Sequence, residues 1–138
     1  MALICGIELK SSEAIFAIVD SAGGQVGYVD SDPKRMQVAD DENAADVQSF
    51  YGAFLNFLRN NHIEQIVIKK RAKRGQMAGG AVTFKLEGLI QLNGTVPVSF
   101  ISGQAISAYQ KRHALNIPAA LNRYQEQAYL AASIWALR

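Results

Sequence analysis

With 138 residues the chain has room for one sizeable core and not two, and 49% apolar against 19% charged residues excludes a disordered polyelectrolyte. No apolar run approaches the ~20 residues of a bilayer-crossing helix, and a single cysteine, Cys5, excludes an internal disulfide. The net charge of +2 conceals an asymmetry: residues 1–64 carry ten acids and four bases, residues 65–138 two acids and ten bases, a pattern that suits an anionic partner for the second half or pairing between the halves.

The N-terminal stretch Met1-Ala2-Leu3-Ile4-Cys5-Gly6 has no basic leader and meets Glu8 almost at once, which does not read as a secretion signal; with the single cysteine it leads us to expect a cytoplasmic protein. Residues 3–9 and 14–20 are β-prone runs separated by Lys10-Ser11-Ser12-Glu13, a spacing that predicts an antiparallel hairpin. A third strand is expected at 25–30, after the turn residues Ser21-Ala22-Gly23-Gly24 and before Ser31-Asp32-Pro33, where proline ends the ladder. Together these form a three-stranded meander. Asp40-Asp41-Glu42-Asn43 supplies caps and negative charge for a helix start, and Val47, Phe50, Tyr51, Phe54, Leu55 and Leu58 then recur at helical spacing until Asn60-Asn61.

A short apolar strand, Ile66-Val67-Ile68, leads into Lys69, Lys70, Arg71, Lys73 and Arg74, then Gly75-Gln76-Met77-Ala78-Gly79-Gly80. Five cations in six residues cannot be buried unpaired, so this run meets water or an anion. Val82, Leu86, Leu89 and Ile90 then predict a helix that stops at Asn93-Gly94. Gly79 and Gly80 thus precede a helix start, whose free N–H groups accept phosphate. The glycines match neither the P-loop nor the dinucleotide fingerprint, which favours a nucleic-acid backbone over a nucleotide. The plain structural alternative is that the two glycines permit close helix–sheet packing. Beyond lie a strand at 96–101, a short helix at 104–111, a loop at Asn116-Ile117-Pro118, and a final helix expected over 119–137, with Leu121, Tyr124, Ala128, Ala131, Ala132 and Trp135 on its apolar face.

A meander followed by strand–helix crossovers implies an α/β domain, spanning 1–138, with a five-stranded mixed sheet flanked by helices. This order resembles the ribonuclease H-like superfamily, and within it the Holliday-junction-resolvase-like branch. The resemblance rests also on Cys5-Gly6-Ile7-Glu8 in the first strand and on Val96-Pro97-Val98 leading to Gly103-Gln104. The chain further resembles a small bacterial family, the domain of unknown function 3010, through Cys5-Gly6-Ile7-Glu8-Leu9-Lys10 and the run from Gly75 to Lys85.

The superfamily resemblance implies two divalent ions held by three or four carboxylates from the first strand, the end of the fourth strand and the last helix, since hard Mg²⁺ takes oxygen ligands. Glu8 matches the first position. Lys69 and Lys70 stand at the end of the fourth strand, with Lys70 on the acid position, and Gln127 stands where the last helix carries its acid. Two ligands are missing, which makes the site a degenerate one without a metal. Convergence of Glu8, Glu87 and Glu126 would rescue it, but on a helix Glu126 lies about 100° round from Gln127.

Other reactive residues read as structural: Cys5 as a core residue, His62 at a helix end, His113 on a basic surface, and Phe50, Tyr51, Phe54, Phe57 and Trp135 as core aromatics. No zinc-ligand spacing is present. The first reading is a non-catalytic or weakly catalytic nucleic-acid-binding module acting through Lys69, Lys70, Arg71, Lys73, Arg74, Gly79 and Gly80, with no cofactor and no membrane partner. The alternatives are a diverged Mg²⁺-dependent nuclease with Glu8 as its catalytic acid, and a structural protein forming a homo-oligomer.

Overall fold

A computed structural model describes residues 2–70 and 80–138. β1 (Ala2–Lys10) and β2 (Glu13–Ala22) form a long antiparallel hairpin, in register from Ala2↔Ser21 to Lys10↔Glu13 around a two-residue turn. β3 (Gln25–Val29) continues the meander through Gly23 and Gly24. Their φ values of 58° and 78° make the left-handed pair that a tight hairpin needs and that glycine adopts without penalty.

The meander has a further member that the sequence reading did not include. β4 (Arg35–Gln37) pairs with the start of β2, Glu13↔Gln37 to Ile15↔Arg35. Pro33 removes one ladder donor but does not prevent the chain from re-joining two residues later, where Met36 packs onto the core.

α1 (Ala44–Asn60) starts at Asn43, whose side chain accepts the Asp46 N–H at 3.1 Å. It buries Phe50, Phe54, Phe57 and Leu58, and Phe57 stacks on Phe16 of β2 with ring centroids 4.4 Å apart. β5 (Gln65–Lys69) lies parallel to β1, and β6 (Val98–Ile101) parallel to β5, with α2 (Ala81–Gln91) between them in sequence. The sheet order is β3-β2-β1-β5-β6, with β4 beside β2. The five-strand path expected from sequence is present, with the short β4 added.

Side chains alternate across this sheet, so each strand serves two cores. Cys5, Ile7, Leu9, Phe16, Ile66 and Ile68 face α1 and α2, while Ile4, Ala17, Val19 and Val67 face α3 (Gly103–His113) and α4 (Glu126–Leu137). None of the described helices is long and apolar enough to cross a membrane.

α4 begins later than residue 119. Asn122 starts a short 3-10 turn, Arg123–Gln125, and its N–H donates to the Gln125 side chain at 3.1 Å, so a local cap outcompetes an earlier helix start. Nor does α4 have a single apolar face, because every residue from Ala128 to Ile134 is buried. A helix apolar all round is one enclosed by the fold. Its closest approach is to β1 at Gly6, where a Cβ would stand 1.9 Å from the Ala128 carbonyl oxygen and 3.0 Å from Ala132 Cβ. Only a residue without a side chain fits there.

Gly6→Ala is therefore expected to lower unfolding stability by about 3 kcal/mol in urea titration, since backbone rather than a movable side chain blocks the methyl group. The control is Gly52→Ala on the exposed face of α1, where a Cβ meets nothing within 4 Å; it should be neutral or add up to about 1 kcal/mol. Equal tolerance of both changes would contradict this packing.

Candidate functional site

The parallel strands β1, β5 and β6 bring their carboxyl ends together at one edge of the sheet. The last β1–β5 pair is Ile7↔Ile68, so Glu8 and Lys69 follow side by side on neighbouring strands. Alternation sets their direction: Glu8 shares a face with Ile4 and Gly6, and Lys69 with Val67, the face that α4 covers. Gln127, in the first turn of α4, completes the group. Lys69 Nζ donates to Gln127 Oε1 at 2.9 Å and lies 3.9 Å from Glu8 Oε2.

This cluster is half enclosed. The Glu8 side chain is 10% exposed and that of Lys69 23%, and a Cβ on Gly103 at the start of α3 would sit 3.5 Å from Lys69 Cε. At the observed separation the Coulomb attraction is about 4 kcal/mol at an effective dielectric of 20, and desolvation of both groups opposes it. The pair thus neutralises a carboxylate at the sheet edge more than it stabilises the fold. Among the described residues, Gln127 Oε1 is the one hydrogen-bond acceptor of the ammonium, which has three N–H groups to give.

The donor set does not suit a divalent ion. One carboxylate, one neutral amide and an ammonium sum to no net charge, and a protonated lysine repels a cation instead of ligating it. Among the described residues no three His, Cys, Asp or Glu side chains gather to hold a metal. The convergence of Glu8, Glu87 and Glu126 that would rescue a metal site does not occur: Glu87 belongs to α2, which packs on the opposite face of the sheet, and Glu126, as the helical spacing implies, is turned away from Gln127 around α4.

The remaining basic residues separate. Lys70 is exposed, and its N–H donates to the Ile101 carbonyl at 2.8 Å as the strand ends. It is Lys69 that turns inward toward Glu8 and Gln127. Arg71, Lys73, Arg74 and Gly79 lie outside the described residues. Gly80 caps α2, its carbonyl accepting from Thr83 N at 3.1 Å and Thr83 Oγ1 at 2.6 Å. Among the described residues a Cβ at Gly80 would meet nothing within 4 Å, so close packing on them does not explain that glycine.

Cys5 is fully buried, and burial pushes its thiol far above the ordinary range, leaving no thiolate for chemistry. His62 closes α1 with a φ of 55°, and His113 stacks on Tyr109 with ring centroids 4.2 Å apart. Phe50, Phe54 and Phe57 are buried; Tyr51 instead donates its hydroxyl to the Leu92 carbonyl at 2.7 Å, tying α1 to the end of α2.

Sequence reasoning passed over Gln125. It is 0% exposed, and its Nε2 donates to the Phe16 carbonyl at 2.9 Å and to the Tyr28 hydroxyl at 3.3 Å. It thereby satisfies a β2 carbonyl in the interval between the β3 and β4 pairings and fixes the approach to α4. The signal present in the sequence is the Asn122-x-x-Gln125 spacing of a capping box.

Over residues 2–134 the chain matches the family described as Protein of unknown function (DUF3010). The chain belongs to that family. No curated protein matches it in sequence. Among solved structures it is similar to T. thermophilus RuvC in complex with Holliday junction substrate, at 12% identity and a TM-score of 0.70, covering 99% of this chain and 94% of that one. A second Thermus thermophilus RuvC structure has 12% identity and a TM-score of 0.68, with 96% and 91% covered. The Fowlpox virus resolvase in complex with substrate Holliday junction DNA has 9% identity and a TM-score of 0.53, with 98% and 91% covered. The fold of this family member is thus the ribonuclease H-like one that those RuvC structures share.

Because the Glu8–Lys69–Gln127 group is already neutral, millimolar Mg²⁺ or Mn²⁺ should leave the melting temperature unchanged in a thermal-shift titration. A metal site filled at 100 times its Kd would add about 2.7 kcal/mol and raise the midpoint by several degrees. Such a rise would contradict the assignment.

Proposed function

We propose that the protein is a non-catalytic nucleic-acid-binding module that meets a phosphate backbone at the carboxyl ends of β1, β5 and β6. The observation that carries this reading is the ammonium of Lys69 held between Glu8 and Gln127, at the sheet edge where open α/β folds take their ligands. A cation there favours a phosphate. The exposed Lys70 follows at once, and the chain continues into Arg71, Lys73 and Arg74, which adds sequence-independent attraction to a polyanion.

The likeness to a resolvase bound to Holliday junction substrate supports a nucleic-acid partner for this fold. It does not extend to cleavage, for which Glu8 alone supplies too few carboxylates. The opposed charges of the two halves are partly spent within the fold: Lys85 of α2 pairs with Asp41 at 3.0 Å, and Lys69 of β5 with Glu8 at 3.9 Å.

Replacing Lys70, Arg71, Lys73 and Arg74 together by alanine tests the reading with duplex and four-way-junction DNA. Stability should stay close to wild type, because exposed charges each contribute less than about 1 kcal/mol, while affinity falls steeply. The slope of log affinity against log salt should shrink by up to about 0.9 for each phosphate of duplex DNA that the variant no longer neutralises. A large drop in stability with unaltered binding would show that these cations pair with the acidic first half, and would end the nucleic-acid reading.

A further inference from the structure

A carboxylate-lined site that relies on divalent ions is strongly anionic until those ions arrive, and in that state it repels a phosphodiester. The arrangement at Glu8, Lys69 and Gln127 differs in its electrostatics. Its only carboxylate is matched by an ammonium 3.9 Å away, and the third member is a neutral amide 2.9 Å from the same nitrogen. The ammonium is anchored rather than free to sweep through solvent. A Cβ on Gly103 would stand 3.5 Å from Lys69 Cε, the Lys69 side chain is 23% exposed, and among the described residues the bond to Gln127 takes one of its three N–H groups.

We propose that Lys69 is a built-in cation that contacts a backbone phosphate directly, so that nucleic-acid binding at this edge is independent of divalent metals. The inference rests on the nucleic-acid reading and deepens it, assigning the contact to one atom, Lys69 Nζ. Gln127 is a positioning residue that orients the ammonium. Glu8 holds it in place but opposes the phosphate electrostatically, so its role is the reverse of that of a metal ligand.

The test is the affinity of the full chain for a DNA duplex and a four-way DNA junction, measured at matched ionic strength in EDTA and in Mg²⁺. Wild type should bind equally in both. Lys69→Met should weaken binding about tenfold or more, as expected when a charge-assisted hydrogen bond is removed. Glu8→Gln should strengthen it several-fold, since the site then gains a net positive charge.

The double change Glu8→Gln with Lys69→Met keeps the site uncharged and close to its original volume, which guards against a folding defect. It too should bind about tenfold more weakly than wild type. Binding by the double variant equal to wild type, a loss of affinity on Glu8→Gln, or a requirement for Mg²⁺ would each overturn the assignment of Lys69 while leaving nucleic-acid binding standing. Absence of any binding by wild type at low salt would overturn both.

Discussion

The carbonyl oxygen of Ala128 occupies space that a side chain at position 6 would need, 1.9 Å from where its Cβ would stand. That contact lets α4 lie directly on β1, and the rest of the α4 face follows from it. Two residues along the same face of β1 comes Glu8, and one residue before Ala128 on the helix comes Gln127. The close approach brings the strand carboxylate and the helix amide to either side of Lys69. With α4 displaced outward by the width of a methyl group, Gln127 would no longer reach the ammonium at 2.9 Å. Gln125 secures the same helix start from the other direction, through the Phe16 carbonyl.

The electrostatics of the sheet edge follow from this packing. Lysine at the end of β5 costs little only because a carboxylate and an amide are there to meet it, and Glu8 is buried at little cost only because the ammonium lies beside it. The three residues form a closed charge balance in which an added divalent ion would displace the lysine. The opposite face of the sheet is packed differently. It is filled by the Phe16, Phe54 and Phe57 rings and tied by the Tyr51 hydroxyl of α1 on the Leu92 carbonyl and by Lys85 of α2 on Asp41 in the turn before α1.

Local signals made much of this legible in advance. The hairpin could be read because the alternation and turn residues of β1 and β2 are local, and α1 because Asn43 and the apolar stripe mark its start and its face. The Gly6 and Glu8 positions were visible through the family resemblance. What escaped depends on tertiary placement. β4 is three residues long and is stabilised by pairing with a strand twenty residues earlier, not by its own propensity. The start of α4 was set by a capping contact that a helical pattern through Leu121 and Tyr124 obscured. Alternation alone puts Lys69 rather than Lys70 on the face of Val67, but that this face is the one α4 covers, and that Glu8 lies beside Lys69, depends on the tertiary packing and the β1–β5 register, which no short-range pattern encodes.

The central claim is that the ammonium of Lys69 sits against Glu8 and Gln127 and takes the space that a divalent ion on the Glu8 carboxylate would need. Crystals grown in Mn²⁺ and measured at a wavelength where manganese scatters anomalously test it most directly. The account predicts no anomalous peak within ligand distance of Glu8, with Lys69 Nζ seated between Glu8 and Gln127. A manganese peak on the Glu8 carboxylate, with the lysine swung away from Gln127, would contradict it.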